Sequence, residues 1–154
     1  MRRLMTIRLL VSMVFAALLA GALPAAASDS PVGTWLKKGE PGQPGLTMVI
    51  EQWGDGRAKL TYRTTGGVTM TLVSKLDGSD APLLVNGKPS GQTMGMKLLD
   101  RLHSVTVLKM NGKKMGISKG TFSADFNTLT VENDMTMTPG TNVSGKYTET
   151  WVRQ

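Results

Sequence analysis

From residue 33 onward the chain is punctuated at short intervals by residues that tight turns favour. These are Gly54-Asp55-Gly56, Thr65-Gly66-Gly67, Asp77-Gly78, Asn86-Gly87-Lys88-Pro89, Asn111-Gly112, Asp125-Phe126-Asn127 and Pro139-Gly140. Asn-Gly and Gly-Gly supply the positive backbone angles that two-residue hairpin turns demand. Nine β-branched-rich runs lie between the turns: 33–37, 46–53, 57–64, 68–75, 93–99, 104–110, 114–123, 128–132 and 146–153. Nine candidate strands and no convincing helix follow, so an all-β chain is predicted.

Alternation inside the runs assigns faces. Ala58, Leu60 and Tyr62 fall on one side of a strand while Arg57, Lys59, Thr61 and Arg63 fall on the other. Val68, Met70 and Leu72 alternate with threonines, and Val105 and Val107 alternate with Ser104 and Thr106, so the valines are assigned inward. Short links favour antiparallel neighbours. A meander of about eight or nine strands removes its exposed edges by closing into a small up-and-down, lipocalin-like barrel. An open sandwich of two sheets is the competing arrangement.

The first 27 residues are set apart by composition. Arg2, Arg3 and Arg8 stand before or at the edge of the apolar run Leu9–Ala20, and Pro24-Ala25-Ala26-Ala27 follows. A basic start, an apolar centre and an Ala-x-Ala site are the marks of a cleaved secretory signal peptide. The run falls short of the roughly 20 apolar residues of a membrane-spanning helix. Residues 1–27 are therefore read as a signal peptide and 28–154 as a single barrel domain, periplasmic or secreted, with no membrane span in the mature form. The chain has no Cys, which excludes a disulfide scaffold, a thiolate metal site and a lipidated N-terminal cysteine. Three of the 18 Lys and Arg precede residue 28 and none of the 11 acids does, so the net charge of +7 becomes +4. A scattered +4 points to a soluble monomer without a nucleic-acid partner.

Gly33-Thr34-Trp35 matches the Gly-x-Trp that opens the first strand of lipocalins and related calycin barrels. Asp77-Gly78-Ser79-Asp80-Ala81-Pro82, the segment Ser123-Ala124-Asp125-Phe126-Asn127-Thr128-Leu129-Thr130-Val131, and the ending Tyr147-Thr148-Glu149-Thr150-Trp151-Val152-Arg153 extend the match. In these features the chain resembles a family of small secreted bacterial proteins described as lipocalin-like, mostly uncharacterised. The resemblance implies a barrel with an apolar ligand in its mouth. It also implies that Trp35 closes the base, with the Arg153 guanidinium packed across it.

Eight methionines remain after residue 27: Met48, Met70, Met94, Met96, Met110, Met115, Met135 and Met137. With Phe122 and Phe126 the only phenylalanines left, unbranched thioethers must fill interior volume. The predicted ligand-lining set is Met48, Ile50, Leu60, Tyr62, Met70 and Leu72 from the first half. Met94, Met96, Val105, Val107, Ile117, Leu129 and Val131 complete it from the second. A different reading uses the pairs Met94/Met96 and Met135/Met137, each on one side of a strand, with His103 as nitrogen ligand, to hold Cu(I) or Ag(I). A third is an envelope interaction module that takes no small ligand.

Catalytic signatures are missing from the sequence. The single His lies in Asp100-Arg101-Leu102-His103-Ser104, a polar turn, and no nucleophile elbow, zinc-protease motif or phosphate loop occurs. The paired acids Asp77/Asp80 and Glu132/Asp134 stand in or beside turns, where Asp caps backbone groups. The expectation is a non-enzymatic protein without a cofactor that binds a small apolar or amphipathic molecule.

Overall fold

A computed structural model describes residues 28–39, 45–136 and 144–154. The proposed signal peptide, Met137, and the turn at Pro139-Gly140 lie outside the described residues. Ten strands follow one another: β1 Gly33–Lys37, β2 Thr47–Gly54, β3 Arg57–Arg63, β4 Thr69–Ser74, β5 Asp77–Val85, β6 Lys88–Leu98, β7 His103–Met110, β8 Lys113–Phe122, β9 Thr128–Met135 and β10 Gly145–Arg153. Every neighbour is antiparallel, and β1 pairs with β10 through Trp35↔Arg153, Leu36↔Val152 and Lys37↔Trp151. The sheet is thus a closed meander, not an open sandwich.

The strand count of eight or nine is corrected to ten. Asp77-Gly78 is not a turn. The reversal comes earlier, where Leu76 takes a left-handed φ of 61°, and β5 starts at Asp77. That strand is hard to see in sequence because its register with β6 shifts twice, between Asp77 and Asp80 and between Pro82 and Leu84. Pro82 has no N–H to give to a ladder, and irregular pairing tolerates it. β6 accordingly begins at Lys88, five residues before the predicted 93. The Asn-Gly turns behave as expected: Asn86 and Gly87 have φ of 48° and 78°, and Asn111 and Gly112 repeat those values. Both positive angles match the right-handed twist of flanking strands.

One end of the barrel is packed shut with aromatics. Phe122 centres the cluster, with ring centroids 5.5 Å from Trp35, 5.4 Å from Trp53 and 5.5 Å from Phe126. The Trp35 indole N–H donates to the Pro31 carbonyl at 2.9 Å. Arg153 lies 5.1 Å over the Trp35 ring, as the lipocalin resemblance implies, and Arg101 lies 4.5 Å over Phe126. Gly33 is required there: its φ is +144°, and a Cβ on it would stand 2.8 Å from the Arg153 guanidinium. The opposite end carries only the short β3–β4, β5–β6 and β7–β8 hairpins among the described residues, with no helix across it.

Candidate functional site

Barrel diameter grows with strand number, so ten strands enclose more space than eight. Four aromatics are gathered at the floor, and above them methionines, leucines and small polar residues surround the Tyr62–Trp151 pair, whose ring centroids are 6.1 Å apart. A cavity of about 350 Å³ results. It runs from Trp53 and Phe122 at the floor to Leu46, Met70, Gln92 and Met135 at the far end.

Of the residues assigned to the lining from sequence, Met48, Ile50, Leu60, Tyr62 and Met70 face this cavity from β2–β4. Met94, Met96, Leu129 and Val131 face it from β6 and β9. Four others do not. Leu72 is fully buried in the core beside Leu60, its register partner, without reaching the cavity. Val105, Val107 and Ile117 lie on the outer face. Cross-strand register sets the phase of β7: inward Met96 pairs with Thr106, while Val105 stands opposite Lys97 and Val107 opposite Gly95. Ile117, opposite Val107, lies in an outer groove with Lys119 and Glu132.

The same phase brings in polar residues that the hydrophobic pattern overlooked. Ser104, Thr106, Ser118 and Asn133 line the cavity, as do Tyr147 and Glu149 on β10. Four of these form one rung: Thr106 pairs with Ser118, Ser118 with Asn133, and Asn133 with Tyr147. The Ser118 hydroxyl donates to Asn133 Oδ1 at 2.6 Å. Lys37, inward from the end of β1, donates to Glu149 and forms its ion pair. Burial, with the charge of Glu149 adding to it, pushes the Tyr62 phenol up to about 12, so this hydroxyl remains protonated at neutral pH.

The metal reading divides along the barrel. Met94, Met96 and Met135 all line the cavity. His103 does not join them: it lies on the outer face with Nδ1 2.8 Å from Asp100 Oδ1 and its side chain 48% exposed. It pairs with Thr121, whereas Met135 pairs with Gly116, five residues away on β8. That separation is about 16 Å along the strand. Among the described residues no cluster of three His, Asp or Glu could hold a metal ion.

No protein-family model matches this sequence, and no curated protein sequence matches it. A solved crystal structure does: a mutant of the fluorescent protein UnaG, at TM-score 0.57 and 16% identity, covering 80% of this chain and 95% of that one. The shared fold is a closed antiparallel β-barrel. At that identity the likeness extends to the fold alone, and the site rests on the geometry above. Among the described residues no helix is long and apolar enough to cross a membrane.

Proposed function

We propose that this chain is a non-enzymatic binding protein that takes one small apolar or amphipathic molecule, non-covalently, into the barrel. The observation that carries the reading is the interior cavity of about 350 Å³, walled on β2–β4 by Met48, Ile50, Leu60 and Met70. Cavities from about 300 Å³ upward, mainly apolar with a few convergent polar groups, are the usual form of small-molecule sites. The structural neighbour, named as a fluorescent protein, has the same kind of barrel. Thioethers on three sides of the space give a lining that adapts its shape at little cost. Export through the N-terminal segment and a monomeric state belong to the same proposal, with the periplasm or the exterior as the place of action.

The test is a titration with N-phenyl-1-naphthylamine, an uncharged dye that brightens in apolar surroundings. The expected result is saturable one-to-one binding that is lost in Val131→Trp, where an indole fills the space beside the half-buried Val131. Equal binding by the two proteins, both folded by circular dichroism, would place the dye elsewhere and overturn the reading.

A further inference from the structure

The polar groups of the interior are concentrated on one side: β2–β4 present an apolar wall, whereas β7–β10 carry a polar rung between apolar residues such as Leu108, Leu129 and Met135. On β2, β3 and β4 the inward positions form apolar rungs: Met48 pairs with Tyr62 and Tyr62 with Met70, and Ile50 pairs with Leu60. Tyr62 is the one polar side chain in these two rungs. Across the barrel, Thr106, Ser118, Asn133 and Tyr147 make a continuous polar rung over β7–β10, with Ser104 and Glu149 one rung nearer the floor. On that lower rung Gly120 stands between Ser104 and Val131 with no side chain, and the Ser104 hydroxyl packs over it.

Charge in the cavity is as informative as polarity. Among the described residues Glu149 is the only charged side chain in the lining, and the nearest inward cation, Lys37, is bound to it. The described lysines of the hairpins at the far end, Lys88, Lys113 and Lys114, are exposed and stand outside the lining. A carboxylate drawn inside would lose its hydration and meet a carboxylate whose countercharge is already engaged. Burying an unpaired ion is strongly unfavourable, whereas hydroxyls and amides regain hydrogen bonds from a polar wall.

We propose that the cavity selects an uncharged amphipath, with an apolar body and hydroxyl, carbonyl or amide groups along one edge, and discriminates against carboxylates. The apolar body lies on β2–β4 and the polar edge on the rung of Thr106, Ser118 and Asn133. Glu149 holds Lys37 out of the role of anion receptor. This rests on the ligand-binding reading above and refines it.

The experiment is competition against N-phenyl-1-naphthylamine at pH 8 by three ligands with the same tail: dodecanamide, dodecanol and dodecanoate. The amide and alcohol are expected to displace the dye at concentrations roughly 10-fold or more below the carboxylate, a step worth one decade in Kd. Glu149→Gln, which releases the Lys37 ammonium, is expected to narrow or reverse that ratio. Thr106→Val combined with Ser118→Ala is expected to raise the Kd of the amide about 10-fold more than that of the dye, which makes no hydrogen bond through a carbonyl or hydroxyl group. Should Glu149→Gln fail to fold, Lys37→Met gives the converse readout, with dodecanoate weakened further and dodecylammonium strengthened. Equal competition by dodecanoate and dodecanamide in the wild-type protein, or a ratio indifferent to the charge variants, overturns the selectivity. Failure of the dye itself to bind overturns the ligand-binding reading beneath it.

Discussion

Replacing Arg153 by Ala probes how the floor of the barrel is held. The guanidinium donates from Nε to the Phe126 carbonyl at 2.8 Å and from Nη1 to the Val32 carbonyl at 2.7 Å. A further bond from Nη2 reaches the Ser30 carbonyl. One side chain on β10 thereby ties the segment before β1 to the β8–β9 turn, over the face of Trp35. Each bond is worth about 1 kcal/mol net, because the freed carbonyls partly rehydrate, and the stacked cation adds about 0.5–1 kcal/mol. The expected loss is about 4 kcal/mol, which for a domain of this size lowers Tm by about 12 °C. Scanning calorimetry of wild type and Arg153→Ala measures it. Gly33→Ala supplies an internal control, since its Cβ would collide with that guanidinium at 2.8 Å. Its cost must therefore be smaller in the Arg153→Ala background, with a coupling of at least about 0.5 kcal/mol. A Tm drop below about 2 °C, with Gly33→Ala additive, would refute the reasoning.

Two glycines on β8 are expected to differ sharply when changed to Ala. At Gly116 the new Cβ would lie 2.6 Å from the Asp134 carbonyl oxygen and 3.0 Å from Met135 Cα, backbone atoms that cannot step aside, so a loss of about 1–3 kcal/mol is expected in chemical denaturation. At Gly120 the close neighbours are the Ser104 Oγ at 2.8 Å and Leu129 Cδ1 at 3.5 Å, both movable side-chain ends, and the loss should stay under about 1 kcal/mol; equal costs would contradict this. The Tyr62 phenol, raised from 10.0 to about 12, makes folding stability depend on alkaline pH. Its contribution is whole below pH 10, where both states hold the proton, and is lost as pH rises from 10 to about 12 while the unfolded chain ionises first. Tyr62→Phe should flatten that decline in denaturation midpoints, and an unchanged slope would contradict the assignment.

The turns were the legible part of this sequence, because Asn-Gly carries its backbone angles in its side chains. β5 was not legible: its bulges and Pro82 erase the alternation that betrays a strand, and the reversal before it is made by Leu76, a residue with no turn signature. On the site, the apolar wall of β2–β4 could be read directly, since Arg57, Lys59 and Arg63 mark the outer face unambiguously. The polar wall is hard to read because valine and threonine fit a strand equally well, and hydrophobicity alone assigns Val105 and Val107 to the interior. A usable signal stood at the strand ends. His103 and Lys109 share the parity of those valines, and Lys113 and Lys119 share that of Ile117, so charged ends already placed these residues outside. Glu149 had no such marker, since its inward position is made tolerable by Lys37, more than a hundred residues away in sequence.

The methionines offer the most direct view of whether the cavity takes a ligand. Met48, Met70, Met94, Met96 and Met135 line it, while Met110 and Met115 do not. With methionine methyl groups labelled with carbon-13, a titration with N-phenyl-1-naphthylamine followed by NMR is expected to shift the five cavity signals together, saturating at one equivalent, and to leave Met110 and Met115 in place. Shifts confined to Met110 and Met115, or no saturable shift at all, would contradict the claim that this barrel is built to hold a small molecule inside.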